Sequence, residues 1–472
     1  MMHIDIFILL RQEIIPVLLI FFLLVYKLGK ERDAVILPAV MNVLLLINFL
    51  AGILFYDWQG LTFSGMYHTD GFVVMQKSIL NLAFWLIAMQ ATGWLKGHAH
   101  AAEMYLLLLT TLLGMFLMLS SGHMLIFYIG LEMATIPLAA AVNFDLQKKR
   151  SSEAAMKLII SSAFSSALLL LGISFLYGIT GTLLFAEIPQ VLHTTPVSIL
   201  TFILIFSGFA FKISAVPFHL WTADVYEGAP IPVTAYLSVV SKAAVIFILG
   251  YMLYMVFRPL AVTWYTMMMV LSLATIITGN LFALRQNNLK RFLAFSSIAQ
   301  VGFVMVGLTG SSQHAMASVV YFILAYVFSN LAAFGVVTLI AQQTGRETIT
   351  DYRELYRNNK TLSWILAIAV FSLAGVPPAV GFFGKFFLLM SGASQGDYLF
   401  ISIAALNMVV SFYYYLKIVR AVFMEKNETP ADTIPVPFWE GLSLWICVAG
   451  MLVTGFLGIV FSYIFSMTPS YQ

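Results

Sequence analysis

The sequence predicts an all-α protein that crosses a membrane many times. Of its 472 residues, 61% are hydrophobic and 10% are charged, and the mean hydropathy is +0.95. Soluble domains carry about 25% charged residues, and a membrane-spanning helix needs about 20 mostly apolar ones. The chain offers fourteen such segments, beginning near Gln12, Ala34, Phe72, Ala101, His123, Ala154, Val197, Ile231, Val262, Phe292, Ala315, Thr361, Asp397 and Pro437.

The loops between these segments are short, and the basic residues are distributed unequally among them. The longest polar stretch, 342–360, predicts a loop with a short helix. Seventeen of the 24 Lys and Arg residues fall in loops after odd-numbered segments, Lys30 and Arg32 among them, whereas loops after even-numbered segments hold only Arg258. Because cytoplasmic loops are enriched in Lys and Arg, the bias places the odd loops in the cytoplasm and both termini on the opposite side.

Two segments combine a lone charged residue with proline. Lys212 stands in an otherwise uncharged run and is followed by Pro217, while Pro377 and Pro378 precede Lys385 in the twelfth segment. Proline removes a helix hydrogen bond, and an ammonium near the bilayer centre costs about 3 kcal/mol even on lenient insertion scales. The sequence therefore predicts that the seventh and twelfth helices are discontinuous and line an ion pathway between two halves.

Other ionisable residues fall inside the predicted helices. Glu132 lies halfway along the fifth segment and Lys242 midway through the eighth, too deep to reach the interface, so both predict a functional role. Lys157 begins the sixth segment, and an interfacial role and a proton-carrying role are equally open for it. Lys77 lies near an end of the third segment, where long side chains commonly extend to the interface, and that role is favoured.

A buried lysine beside a glutamate can act as a proton switch. Burial disfavours the charged ammonium, and a nearby carboxylate stabilises it. If Glu132 moves away from Lys212 or meets another cation, the lysine can pass its proton on. Arginine could not do this because it stays protonated in proteins. The deep lysines therefore predict proton transport.

Cofactor motifs are absent from the sequence. Cys447 is the only cysteine, which excludes an internal disulfide and a Cys-ligated iron–sulfur site. The sequence has neither a dinucleotide fingerprint nor a Walker A run, and its histidines form no helical metal-binding pair. We therefore expect no cofactor, no metal and no redox centre in this chain.

Several long motifs resemble the antiporter-like membrane subunits of proton-pumping NADH:quinone oxidoreductase, respiratory complex I. They are FYIGLEMATIPL, SSEAAMKLIISSAFSSALLLLGISFLYGITGT, GFAFKISAVPFHLWTADVYEGAPIPVTAYLSVVSKAA, NLKRFLAFSSIAQVGF and AGVPPAVGFFGKF. The resemblance covers about residues 100–425. It implies three N-terminal helices (1–99), two inverted five-helix repeats comprising helices 4–8 (100–258) and 9–13 (259–425), and a C-terminal helix (426–472).

The resemblance also implies roles for the charged residues. Glu132 and Lys212 would be the paired switch, Lys242 the central relay and Lys385 the terminal exchange site. Many family members carry a histidine where this chain has Gln300, which cannot titrate. We therefore expect a hydrated connection there, formed with Ser296, Ser297 or tyrosine residues. The implied supporting residues are Lys157, Pro217, His219, Gln300, Pro377 and Pro378.

The resemblance further implies an assembly. NADH, flavin, iron–sulfur clusters and quinone would be bound by other subunits, and this chain would serve as a translocase subunit. Its expected partners are a neighbouring antiporter-like subunit, small membrane subunits and the lipid bilayer, with no nucleic acid. The expected location is a bacterial inner (plasma) membrane, with both termini on the periplasmic side.

Two alternatives to a complex I subunit stay open. The chain could belong to a multi-subunit sodium/proton antiporter or a membrane-bound hydrogenase, and copurifying NADH-oxidising and quinone-binding subunits would favour complex I. It could also be a non-pumping scaffold whose buried charges hold helices together. Buried ion pairs are weak evidence for stability, and several deep lysines to one carboxylate are a poor structural pairing.

Overall fold

The computed structural model describes most of the chain. Lys30, Arg32 and Ala34, which enter the predicted charge bias and second segment, lie outside the described residues. The described residues are 2–29, 35–54, 58–427, 431–456 and 458–470, with the side chains of 2–5 left out.

Nearly all described segments are helical, as the sequence predicts. The first thirteen α-helices are α1 (Met2–Leu9), α2 (Arg11–Leu28), α3 (Leu37–Ile53), α4 (Gly71–Gln90), α5 (Thr92–Leu95), α6 (Ala101–Leu119), α7 (Met124–Val142), α8 (Lys149–Thr180), α9 (Ile188–Val191), α10 (Pro196–Ile213), α11 (Leu220–Gly228), α12 (Ile231–Tyr236) and α13 (Lys242–Tyr251).

The second half continues in the same way. Its α-helices are α14 (Ala261–Leu284), α15 (Leu289–Gly307), α16 (Ser312–Thr344), α17 (Leu355–Asn358), α18 (Lys360–Ala374), α19 (Val380–Ala393), α20 (Tyr398–Phe423), α21 (Phe438–Phe456) and α22 (Ile459–Met467). The polar stretch 342–360 contains the end of α16, a 3-10 turn (Ile349–Tyr352) and α17, so the short helix predicted there is present.

The apolar helices account for the membrane character of the chain. Within the described residues, eleven helical segments are long and apolar enough to cross a membrane by length and composition, while α3, α18 and α19 are apolar but shorter. The all-α membrane fold is therefore confirmed. The count of fourteen crossings and the inverted relation of the two repeats stay predictions.

Both predicted helix breaks are present. A non-helical gap separates α10 from α11, and another separates α18 from α19. Each first half ends at a residue in the left-handed region, Ser214 with φ 66° and Gly375 with φ 85°. The helices thus end before the prolines are reached, because a left-handed residue turns the chain out of the helix and proline cannot restart its hydrogen-bond ladder.

A π-helical turn, which the sequence did not predict, joins α12 to α13. It covers Leu237–Ser241 and ends immediately before Lys242. Single π-helical turns widen a helix locally and occur frequently at functional sites. Here the turn sets the direction in which Lys242 and Ser238 leave the helix.

A small hairpin is a further unpredicted element. Strand β1 (Gly60–Thr62) pairs antiparallel with β2 (Tyr67–Thr69). The backbone N–H of His68 donates to the carbonyl of Ser120 at 2.8 Å, which fixes the hairpin where α6 ends and α7 begins. We call this the hairpin end of the bundle.

Helices α6 and α7 approach closely enough for their backbones to touch. A Cβ atom added to Gly114 would lie 2.5 Å from the backbone nitrogen of Ala134, and one added to Gly130 would lie 2.7 Å from that of Met118. Small residues allow such close helix packing in membranes. The contact fixes α7, which carries Glu132, directly against α6.

We predict that Gly114→Val separates α7 from α6 and destabilises the protein by about 1–3 kcal/mol, the usual cost of overpacking. Gly178→Val is the matched control, because a Cβ at this α8 glycine meets nothing within 4 Å. Thermal unfolding of the purified assembly would measure both variants. Equal unfolding midpoints would contradict the importance of the contact.

Candidate functional site

Lys212 is buried where α7, α8 and α10 meet. Its Nζ donates to Thr135 Oγ1 at 2.8 Å and to Ser162 Oγ at 2.7 Å. Both acceptors are neutral hydroxyls from helices other than its own. The lysine therefore occupies a specific site inside the bundle and does not extend to the surface.

Glu132 lies one turn from this site. It precedes Thr135 by three residues on α7, so the two side chains share a helix face. Its Oε1 atom is buried without a hydrogen-bond partner, and among the described residues no ion pair within 4.0 Å joins it to Lys212. Thr135 thus contacts the lysine, and the carboxylate lies beyond it. The switch role of the pair stays a prediction.

Lys157 belongs to an ionic cluster at the other end of the bundle, where α11 ends and α8 and α15 begin. Its side chain is 43% exposed and forms ion pairs of 2.7 Å with both Glu153 and Asp224. Arg291 pairs with Asp224 at 2.8 Å and with Glu227 at 2.7 Å. We call this the charged end of the bundle. The cluster borders an open cavity of about 180 Å³.

Sequence reasoning missed most of this cluster. Asp224 and Glu227 stand just beyond the uncharged run around Lys212, and the sequence analysis gives them no role. Arg291 enters it only as one of the loop charges. The signal was their placement at helix ends that the fold brings together. Of the two open roles for Lys157, its exposure agrees with the interfacial one. Its helix also carries Ser162, five residues on and about 7.5 Å further along the axis, which contacts Lys212.

Lys242 is buried at the centre of the molecule. Its Nζ donates to Ser297 Oγ at 2.8 Å and lies 5.4 Å from the ring centroid of Tyr226, a favourable arrangement for a cation. A cavity of about 10 Å³, room for roughly one water, adjoins the ammonium. The polar residues that line it are Ser238, Lys242, Ser297, Gln300 and Tyr326.

Gln300 and Lys385 share one acceptor. Gln300 follows Ser297 by three residues on the same face of α15, and its Nε2 donates to the carbonyl oxygen of Leu373 at 2.9 Å. Lys385 Nζ donates to the same oxygen at 2.9 Å and to that of Ala374 at 3.1 Å. Gln300 is therefore linked to Lys385 through the Leu373 carbonyl, and it lies one helical turn from Ser297 in the lining of the same cavity.

The break in the twelfth predicted helix supplies these acceptors. Leu373 and Ala374 are the last residues of α18, and the last carbonyls of a helix have no partner within it. Lys385 lies on α19 and reaches back across the gap to them. Pro377 and Pro378 lie inside that gap, so the proline break and the lysine belong to one site.

The structure shows which of the candidate groups around Gln300 contact it or Lys242, whereas the hydrated connection itself stays a prediction. Ser297 contacts Lys242, so it lies on the line between the two lysines. Tyr415 OH accepts from Gln300 Nε2 at 3.2 Å and hydrogen-bonds Ser296, so these two residues lie beside the line. The sequence alone does not distinguish among the serine and tyrosine candidates, because both residue types are common in membrane helices.

The first break, between α10 and α11, is held by different contacts. Val216 N–H donates to Thr275 Oγ1 at 3.0 Å, and Trp221 Nε1 donates to the Phe211 carbonyl at 3.1 Å. No lysine occupies this gap among the described residues. Pro217 and His219 lie within it, and the buried Nδ1 of His219 has no partner among the described groups. The two breaks therefore share a left-handed residue at the end of the first helix, but different groups form hydrogen bonds with their backbone.

The interfacial role expected for Lys77 is wrong. Its side chain is 1% exposed and forms an ion pair with Glu13 on α2. Its Nζ also donates to Ser120 Oγ at 2.6 Å and to Tyr67 OH at 3.3 Å. Helix α2 and the hairpin cover the lysine on two sides. The partner is 64 residues away in sequence, which hid the pair.

Comparison with known proteins places the chain in a family. Residues 121–411 match the family described as NADH:quinone oxidoreductase/Mrp antiporter, transmembrane region. NADH-quinone oxidoreductase subunit N from Phocaeicola vulgatus is 46% identical over 423 residues, which cover 89% of each chain. The resemblance inferred from the motifs is confirmed.

Solved structures agree with this fold. A chain of respiratory complex I from Thermus thermophilus, solved with bound aureothin, is 27% identical with a TM-score of 0.81, covering 96% of this chain and 98% of that one. A chain of the Mrp complex from Dietzia has a TM-score of 0.85 over 100% and 98% of the chains at 16% identity, which shows the fold alone. The chain therefore belongs to the antiporter-like membrane subunit family of NADH:quinone oxidoreductase, as a relative of subunit N.

Proposed function

We propose that this chain is a proton-translocating membrane subunit of NADH:quinone oxidoreductase. Protons would move through Glu132, Lys212, Lys242 and Lys385, coupled to quinone reduction in other subunits. The single observation that carries the proposal is the row of buried polar groups between Lys242 and Lys385. Ser297 binds Lys242, Gln300 lies one turn further along α15 and lines the same cavity, and the Leu373 carbonyl accepts from both Gln300 and Lys385.

The surroundings of the three deep lysines suit reversible protonation. Among the described residues, none of them forms an ion pair within 4.0 Å, and their acceptors are hydroxyls and carbonyls. Neutral acceptors stabilise an ammonium less than a carboxylate does. A small rearrangement can therefore release the proton, and the neutral amine left behind tolerates burial.

The remaining parts of the machine would lie in other subunits. NADH, flavin, iron–sulfur clusters and quinone would be bound there, and this chain would act as a translocase without a redox centre of its own. Its partners would be a neighbouring antiporter-like subunit and small membrane subunits. The membrane would be a bacterial inner membrane, with both termini on the periplasmic side.

We predict that affinity purification through a tag on this chain recovers NADH-oxidising and quinone-binding subunits. The 46% identity to a subunit N supports this expectation. Mass spectrometry of the purified assembly provides the measurement. Recovery of only antiporter or hydrogenase subunits would contradict the proposed assembly and favour the related complexes.

We predict that Lys212→Met lowers proton pumping by about a hundredfold or more, the lower end of what a positioned proton-transfer group contributes, while the complex still assembles. Lys212→Arg should be equally impaired, because arginine keeps its charge and cannot release its proton. Pumping is measured by dye quenching in membrane vesicles supplied with NADH. Normal quenching in an assembled Lys212→Met complex would remove this residue from the path.

We predict that Gln300→Leu blocks the connection between the lysines, because leucine cannot donate to the Leu373 carbonyl or to Tyr415. Pumping per NADH should fall towards that of Lys212→Met, whereas Gln300→His keeps a donor and should be tolerated. Gln12→Leu is the matched control, a buried glutamine on α2 that bonds the Gly52 carbonyl. If all three variants pump equally, the route does not pass Gln300.

A further inference from the structure

A second line of polar residues reaches the cavity beside Lys242. It includes none of the residues through which protons are proposed above to move. It starts at Glu440, near the beginning of α21, whose side chain is only 2% exposed. Its Oε1 accepts the backbone N–H of Gly93 at 2.7 Å. Its Oε2 is buried and has no partner among the described groups.

Glu440 lies just beneath the surface at the charged end. Gly93 itself is exposed. A Cβ added there would lie 2.7 Å from Glu440 Oε1 and 3.8 Å from Gln342 Oε1. Gln342 lines an open cavity of about 410 Å³ that also contains Lys148, Lys290 and Glu347. The Glu440 carboxyl group and a residue that lines the charged, open cavity thus both lie beside the exposed Gly93.

The line continues inward through α21, α4 and α16. Ser443 follows Glu440 by three residues, so both face the same side of α21. Gln90, the last residue of α4, donates from Nε2 to Ser443 Oγ at 3.1 Å and to the Leu331 carbonyl at 2.9 Å. All of these side chains are buried.

The last step reaches the π-helical turn. Asn330 is adjacent to Leu331 on α16, and its Nδ2 donates to Ser238 Oγ at 3.2 Å. Ser238 also hydrogen-bonds Tyr326 OH at 3.0 Å, and both line the cavity beside Lys242. Ser238 precedes Lys242 by four residues, about one helical turn.

A purely structural explanation accounts for this line poorly. Polar residues do join helices in membranes, but the two atoms left without a partner, Glu440 Oε2 and Asn330 Oδ1, both lie along the line. Buried polar atoms are normally satisfied by protein or ordered water. Lys96 and Tyr105 are the other ionisable side chains that interact electrostatically with Glu440. None of them forms an ion pair with it in the described part of the chain.

The hydrogen bonds of Lys212 do not lead towards Lys242. It donates to α7 and α8, and no hydrogen bond among the described residues leads from it to Lys242. The polar surroundings of Lys242 lead instead to Ser297 on one side and to Ser238 on the other. The buried polar residues beside Lys242 thus extend through Asn330, Gln90 and Ser443 towards Glu440 at the charged end.

We propose that Glu440 is a proton-uptake site that loads Lys242. The hydroxyls of Ser443, Ser238 and Tyr326 can each accept and donate a proton, and water molecules would carry it between them. The amides of Gln90 and Asn330 are positioning residues that orient this water. The inference rests on the proposed function, because it requires that Lys242 carries protons. It adds an inlet on α21, outside residues 121–411 that match the family.

The test compares Glu440→Gln, Glu440→Asp and Gln90→Met in the intact complex reconstituted into vesicles. Protons pumped per NADH are measured as a function of pH on the side of the charged end. Glu440→Gln and Gln90→Met should lower the ratio towards that of Lys242→Met, and Glu440→Asp should restore part of it with a shifted pH profile. A merely structural role would not move that profile.

Two further variants make the outcome decisive. Asn81→Leu removes a buried amide from the same helix, α4, away from the line, and should pump normally. If Glu440→Gln and Gln90→Met pump as well as Asn81→Leu, the inference is overturned. If one of these two variants fails to assemble, the other alone decides between the two outcomes. Lys242→Met separates the two proposals: if it is inactive while Glu440→Gln is normal, only the inlet is wrong, and if it pumps normally, both proposals fail.

Discussion

The structure depends on one constraint, that a buried ammonium must find hydrogen-bond acceptors inside an apolar helix bundle. An intact helix has none to offer, since its carbonyls are used by its own backbone. The chain supplies acceptors in two ways. Hydroxyls from neighbouring helices meet Lys212 and Lys242, and the open end of α18 meets Lys385. The helix gap and the inward-facing serines and threonines all follow from this need.

Partner chemistry divides the lysines into two groups. Lys77 and Lys157 have carboxylate partners and are held as ions, one within the core and one at the surface. The three deep lysines have only neutral acceptors among the described residues. Depth alone does not make this division, because Lys77 is as buried as Lys385. The kind of acceptor therefore separates the two lysines paired with carboxylates from the three that we propose to exchange protons.

The features predicted correctly from the sequence were those in which a residue stands out from the rest of its own segment. A charge in an apolar run and a proline in a helix are visible locally, so the deep lysines and both breaks were found. Acceptors such as Thr135, Ser162 and Ser297 come from other helices and look like ordinary membrane-helix residues. Lys77 was misjudged because Glu13 and the hairpin approach it only in three dimensions. Glu440 was missed because it stands beside a loop and its neighbours belong to α4 and α16.

The shared carbonyl of Leu373 has a consequence for how the sequence can vary. A backbone oxygen is present whatever side chain the residue carries, so positions 373 and 374 can drift among helix-forming apolar residues without loss of the acceptor. The requirement falls instead on Gly375, whose φ of 85° suits glycine and whose added Cβ would lie 3.1 Å from Lys385 Cδ. Natural variation near this site should therefore preserve a bend in the chain more strictly than the residues that bind the ammonium.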